Sequence, residues 1–203
     1  MIQLLRTVIL LPLILAMPIS AVAQSAIDEK HPAVATAVAY VRDVSTKNWE
    51  SAAEKLKARH LDLQRVKYSR AIRSTPSIDA EVRMLQRLGV ERVREVEAMS
   101  GRDFYIRHQR AIDNERKLTP STHKRMTETF KATFLGAIQE GDGLVHVVMR
   151  TSHNTLNATV SELLIVSMEK DGSNWLVAPE HQELQIKPLI TGDLPEEMKK
   201  EAP

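Results

Sequence analysis

The sequence of 203 residues contains no cysteine, and this absence removes several kinds of chemistry at once. Disulfide bonds, thiolate nucleophiles, iron–sulfur clusters and cysteine-bound zinc all need cysteine side chains. The seven glycines form neither a phosphate-binding loop nor the G-x-S-x-G turn of many serine hydrolases. Aromatic residues are also scarce, with three Phe, three Tyr and two Trp, so we expect a mainly aliphatic core.

Metal and nucleic-acid binding lack support in the sequence. No two histidines follow the H-x-H or H-x-x-x-H pattern, so we predict no metal site and no cofactor. Basic residues are interleaved with acidic ones, as in "ERVREVEAM", and aromatic residues for base stacking are few, so we expect no nucleic-acid partner. The histidines are His31, His60, His108, His123, His146, His153 and His181.

The N-terminus has the three parts of a secretory signal peptide. Arg6 supplies a positive charge, residues 7–17 form a short apolar run, and small residues end in "AVA" at Ala23. We therefore predict a signal peptide over residues 1–23, cleavage after Ala23, and a periplasmic or secreted bacterial protein beginning at Gln24. The apolar run is shorter than a membrane-spanning helix, so no stable membrane anchor is expected after cleavage.

Charge differs between the two halves of the remaining chain. Residues 25–128 contain 21 Lys and Arg against 15 Asp and Glu, whereas residues 129–203 contain 6 against 11. A basic first half and an acidic second half suit a surface that docks an acidic partner or a second copy head to tail. Ordinary variation of surface charge is the alternative interpretation.

Helical periodicity dominates the first half of the chain, and strand alternation dominates the second. Pro32 opens a helix, Trp49 starts a second that shelters its indole against the first, and Gly89 is placed to end a later one. "NERKLTPST" reads as a loop. Four alternating segments follow, and their turns contain "GDG" and "DG". Segregated helices and strands predict an α+β fold: a single domain over residues 24–190, with helices packed on an antiparallel sheet of about four strands, and a flexible tail over 191–203.

Two segments resemble the nuclear transport factor 2-like, or SnoaL-like, superfamily. "HPAVATAVAYVRDVSTKNWESAAEKL" is similar to its opening helices, and "SELLIVSMEKDGSNWLV" is similar to its long strand, turn and Trp-bearing last strand. The resemblance implies a curved, cone-like sheet around a cavity. Members include isomerases, cyclases and dehydratases, ligand-binding proteins, and subunits that dimerise through the sheet.

Five residues are candidates for a ligand site or an interface. His146 and Arg150 interrupt the apolar run "GLVHVVMR", and alternation places them on one strand face, where they could lie close together. The uniform apolarity of Val145, Val147 and Met149 favours an inward orientation of these three side chains, and the pair would then face an interface or solvent. Tyr105 and His108 lie in the basic segment "RDFYIRHQR", which is either an anion-binding rim or a helix with solvated cations. Trp49 is the fifth candidate.

The functional expectation is a non-catalytic exported domain that binds a hydrophobic ligand or a protein partner. The apolar residues on both faces of the predicted sheet also suggest a homodimer through the sheet. Two alternatives stay open: an isomerase or dehydratase-type enzyme with its acid and base in the cavity, and an accessory structural subunit of an envelope complex. No catalytic residue is assigned.

Overall fold

The computed structural model describes residues 25–116, 118–179 and 189–192, which form seven helices and six strands. Six of the seven histidines lie in these ranges. His181, the predicted signal peptide and residues 193–203 of the predicted tail lie outside them. The helices are α1 (Pro32–Ser45), α2 (Trp49–Glu54), α3 (Ala58–Ser74), α4 (Ile78–Arg87), α5 (Val93–Ala98), α6 (Gly101–Arg116) and α7 (Pro120–Thr129). The strands are β1 (Ser25–Ala26), β2 (Lys131–Glu140), β3 (Leu144–Asn154), β4 (Ala158–Asp171), β5 (Asn174–Val177) and β6 (Leu189–Gly192).

The strands form one antiparallel sheet, which confirms the predicted α+β class. Its order is β1-β2-β3-β4-β5, and β6 pairs with the beginning of β4. The predicted meander corresponds to β2 through β5, with Gly141 and Gly172 at positive φ in the first and last turns. Two short strands, β1 and β6, extend the sheet beyond the four that alternation predicted. β6 includes residues 191 and 192, the first two of the predicted tail.

Local sequence accounts for the ends of several helices. The His31 side chain accepts a hydrogen bond from the backbone N–H of Ala33, and Pro32 occupies the first turn of α1. Gly89 follows the end of α4 with φ of 68°, the left-handed conformation in which glycine is favoured. The Ser100 hydroxyl accepts from the backbone N–H of Asp103 at 3.0 Å and so caps the first turn of α6.

The loop predicted at "NERKLTPST" is wrong at both of its ends. α6 continues through Arg116, and α7 begins at Pro120. Thr119 caps α7 because its hydroxyl accepts from the backbone N–H of Thr122, while Pro120 fits the first helical turn. These residues therefore start a helix where turn-forming composition alone predicted a loop.

The buried residues form two separate clusters. The sheet core lies between α1, α2 and the sheet, and it includes Val41, Trp49 and Val147. The helical core lies among α3, α4, α5 and α6, and it is centred on Ile72, Leu88 and Phe104. The helix α6 joins the two clusters because successive residues on it face different cores.

The two faces of the sheet differ in burial. On β3, Val145, Val147 and Met149 are 0% exposed and pack in the sheet core, as their uniform apolarity predicted. We call this the inner face. On the opposite, outer face, Leu135 and Ile138 of β2 are 49% and 42% exposed. Among the described residues, no helix has the length and apolar character that crossing a membrane requires.

Candidate functional site

His146 lies on the outer face, where its imidazole forms hydrogen bonds with two neighbouring side chains. Its Nδ1 is 3.0 Å from the Ser167 hydroxyl on β4, and its Nε2 is 3.0 Å from a carboxylate oxygen of Glu140 on β2. The three strands β2, β3 and β4 therefore bring a serine, a histidine and a glutamate into one chain of hydrogen bonds.

This chain differs from the triad of a serine hydrolase in two respects. A triad serine bonds Nε2 of its histidine and is open to substrate, with the carboxylate on Nδ1. Here Ser167 bonds Nδ1 and is 0% exposed, so its hydroxyl has no access to an incoming carbonyl. The arrangement satisfies polar groups on a sheet face and gives no reactive nucleophile.

Arg150 is exposed on the same face but does not join His146. The two residues are four positions apart on β3, which corresponds to about 13 Å along an extended strand. Both ring nitrogens of His146 are bonded to Ser167 and Glu140, so the hydrogen bonds of the described residues give no contact between His146 and Arg150. Their predicted location on the face opposite Val145, Val147 and Met149 is what the structure shows.

Trp49 is buried at the start of α2, where it packs against α6. Its indole Nε1 donates to Asp113 at 2.8 Å, and the ring meets Tyr105 edge to face at 6.4 Å between centroids. The Lys47 ammonium lies 3.3 Å from the other Asp113 oxygen. These contacts hold α2 against α6. Lys47, Trp49 and Asp113 also line an open cavity with a volume of about 450 Å³.

The cavity beside Trp49 has its charges paired. Lys47 is bonded to Asp113, and Arg110 forms an ion pair with Glu50. His123 also lines the cavity, and burial followed by the nearby Lys47 charge lowers its pKa. Because Lys47 and Arg110 are each paired with a carboxylate, the cavity has no unpaired cation from these two residues to hold an anion. The anion-binding rim that the sequence offered as one interpretation is therefore not supported at Arg110.

Tyr105 and His108 both lie on α6, but their side chains face different sides of the helix. His108 stacks on Phe104 at 5.5 Å and meets Tyr68 edge to face at 5.1 Å, against the helical core. Burial, and then the Arg87 charge, lower its pKa. Tyr105 instead enters the sheet core, so the two predicted site residues do not form one site. Exposed Arg107 donates to the Leu88 carbonyl at 3.4 Å.

A groove lies between the C-terminal half of α1 and the inner face of β3 and β4. Its volume is about 280 Å³, and more of its wall is apolar than polar. Because β3 and β4 run past the end of the sheet core here, their inner-face positions change from apolar to polar. The lining residues are Tyr40, Val41, Val44, Ser45, Phe130, Thr151, His153, Glu162, Leu164, Ile165 and Val166.

The polar groups of the groove come from two sides. From α1, Tyr40 forms a side-chain hydrogen bond with Tyr105, and burial raises the pKa of both phenols. From the sheet, Thr151 and Glu162 are direct partners across β3 and β4. Tyr105 is thus the one predicted site residue that reaches the groove, through its contact with Tyr40.

His153 adds an imidazole to the groove. Burial lowers its pKa, so its neutral form is favoured. Its Nε2 is buried and has no hydrogen-bond partner among the residues that the structure describes. A buried polar atom without a partner is uncommon in folded proteins.

Sequence reasoning missed Tyr40, His153 and Glu162 as site residues. The alternation that places Val145 and Met149 inward also places His153 inward, and the alternation of Leu164 and Val166 does the same for Glu162. The signal was therefore present in the strand period. The position of Tyr40 depends on how α1 packs on the sheet, which no local pattern encodes.

Comparisons with protein-family models, with curated proteins and with solved structures found no match. Membership of the nuclear transport factor 2-like superfamily therefore stays a prediction from the sequence pattern. Within residues 25–116, 118–179 and 189–192, no group of three or more His, Asp or Glu side chains is arranged to hold a metal ion.

Proposed function

We propose that the protein is an exported, non-catalytic domain that binds a small hydrophobic ligand in the groove between α1 and the inner face of the sheet. The groove itself carries the proposal: it is concave, mainly apolar, and has a few polar groups that can orient a ligand. At about 280 Å³ it lies near the lower end of ligand-site volumes, which favours a small molecule.

A variant that fills the groove tests this proposal. Ser45 ends α1 and lines the groove, so Ser45→Trp places an indole in the space that the ligand needs. Arg42→Trp is the matched control, because Arg42 is exposed on the same helix and does not line the groove. Calorimetric titration with 1-octanol should show binding to the parent protein and to Arg42→Trp but not to Ser45→Trp. Equal binding by both variants would place the ligand elsewhere.

An isomerase or dehydratase-type enzyme is the second candidate. The observation that favours it is the convergence of Tyr40, His153 and Glu162 on one groove, since such chemistry needs an acid and a base. Proton abstraction beside a carbonyl can be followed as deuterium uptake by 2-octanone in D2O. An enzyme should exceed the buffer rate and lose the excess in Glu162→Gln, whereas a binding protein should match the buffer.

Association through the outer sheet face is a further candidate role, as a homodimer or as an accessory subunit of an envelope complex. Exposed Leu135 and Ile138 favour it, because apolar side chains on a sheet face are stabilised by a partner. Size-exclusion chromatography with light scattering should give twice the monomer mass for a homodimer. A monomer at micromolar concentration would remove the homodimer, and co-purification from the host would test the accessory role.

Export is the part of the proposal that rests on residues outside the described ranges. The support is the charged start, the apolar run and the small residues before Ala23. Edman sequencing of protein from the extracytoplasmic fraction should begin at Gln24. An intact N-terminus at Met1 in all fractions would contradict export through this segment.

A further inference from the structure

We infer that the groove discriminates against organic anions and binds hydrophobic ligands whose polar group can donate a hydrogen bond, as a hydroxyl does. This inference rests on the proposed function, because it names the class of ligand for the same groove. The observations behind it are the charge of the groove and the hydrogen-bonding capacity of its polar groups.

The charge of the groove is set by one carboxylate. Glu162 lines the groove together with uncharged residues, and no Lys or Arg is among the lining residues. The ion pairs of the described residues do not include Glu162. A carboxylate or phosphate ligand in the groove would meet a like charge with no lining cation to offset it.

Hydrogen-bonding capacity also separates a hydroxyl from a carboxylate. Tyr40 shares a side-chain hydrogen bond with Tyr105, and a phenol can both donate and accept. The Glu162 carboxylate only accepts. A ligand hydroxyl can therefore donate to Glu162 and also bond a phenol, whereas a ligand carboxylate has no hydrogen to donate.

The remaining polar groups of the groove fit the same ligand. Thr151 carries a hydroxyl and lies opposite Glu162 across the strand pair. Burial favours the neutral form of His153, which has one donor and one acceptor nitrogen. Val44, Phe130 and Leu164 supply apolar wall for the body of the ligand. An uncharged molecule with an aliphatic body and one hydroxyl matches this set of groups.

Three probes of equal chain length test the inference: 1-octanol, octanoate and octylammonium, titrated calorimetrically at pH 7.5. The parent protein should bind 1-octanol at least about tenfold more tightly than octanoate, because the anion is opposed by Glu162. Glu162→Gln should bind octanoate more tightly than the parent does, which narrows the difference in affinity between 1-octanol and octanoate. Glu140→Gln removes an equal charge from the outer face and should keep the parent's discrimination.

The possible outcomes separate the inference from the function on which it rests. Octanoate binding as tightly as 1-octanol would overturn the inference and leave groove binding in place. Binding of octylammonium at least as tight as that of 1-octanol would support the inference, because the Glu162 carboxylate that opposes an anion attracts a cation. If Glu140→Gln lost the preference for 1-octanol over octanoate, that preference would result from the overall charge of the protein. This result would overturn the assignment of the preference to Glu162. Failure of all three probes to bind would contradict the proposed function and the inference with it.

Discussion

The two faces of β3 show how one strand can carry two different kinds of polar residue. On the inner face, buried Val145, Val147 and Met149 lead to His153, which lines the groove and has a buried nitrogen without a described partner. On the outer face, His146 has both ring nitrogens bonded to neighbouring side chains. The comparison teaches that an interruption of an apolar run does not by itself indicate a site, because the outer-face His146 is already satisfied by neighbouring side chains whereas the inner-face His153 is not.

The largest expected contrast between the faces concerns stability. Met149→Ala removes a fully buried side chain and leaves a cavity, which should lower the free energy of unfolding by about 2–5 kcal/mol. Arg150→Ala, one residue further along β3, removes an exposed side chain and should change it by less than about 0.5 kcal/mol. Urea denaturation followed by circular dichroism measures both. Similar losses would mean that the sheet faces are assigned incorrectly.

A smaller effect is expected from the outer-face hydrogen bonds. His146→Ala removes the contacts to Ser167 and Glu140, and should cost about 1 kcal/mol of unfolding free energy. The same denaturation experiment measures it, with Arg150→Ala as the control for loss of an exposed outer-face side chain. The variant should retain binding of 1-octanol, because His146 is remote from the groove lining. Loss of 1-octanol binding in a folded His146→Ala protein would contradict the assignment of the ligand to the inner face.

The smallest effect should appear in the pH dependence of stability. Burial lowers the pKa of His153 in the folded protein below the usual histidine value of about 6.5. As the pH falls through that value, His153 is therefore protonated more readily in the unfolded chain than in the folded protein. The contribution of His153 is therefore fully present above that pH and is lost as pH falls toward the lowered folded-state pKa. Unfolding free energies between pH 7.5 and pH 5 should fall less in His153→Gln than in the parent. An identical slope in both proteins would count against burial of this imidazole.

His108 and His123 also have lowered pKa values, and they contribute to the same fall in stability. Among the described residues these three histidines all contribute to the slope of the parent protein, so the difference between the parent and His153→Gln is what reports on the groove. His108→Gln provides a matched control for loss of a buried histidine outside the groove. Its slope should also be reduced, but its 1-octanol affinity should equal that of the parent.

Local signals predicted the regular parts of the fold. Alternation located β2 through β5, and it placed Val147 inward, because side chains on a strand have a fixed period. Short elements escaped prediction because they contain little periodic sequence. β1 has two residues and β6 has four, and both exist through pairing with distant strands. The ten-residue α7 was missed because Pro and Thr, which also form turns, supply its cap and first turn.

The candidate site was harder to predict than the fold, for a physical reason. A groove arises where packed elements fail to fill the space between them, and this depends on the placement of α1 against the sheet. Tyr105 was singled out for its position beside basic residues, yet it reaches the groove only through Tyr40, which is 65 positions away in sequence. His153 and Glu162 were within reach of strand alternation, because both share a face with core residues.

Methyl NMR spectroscopy tests the central claim, that the ligand site lies on the inner face, most directly. Val44 and Leu164 line the groove, whereas Leu135 and Ile138 are exposed on the outer face. Addition of 1-octanol should shift the methyl signals of Val44 and Leu164 in a saturable manner and leave those of Leu135 and Ile138 unchanged. Saturable shifts confined to Leu135 and Ile138, or no saturable shift at any of the four residues, would contradict the account.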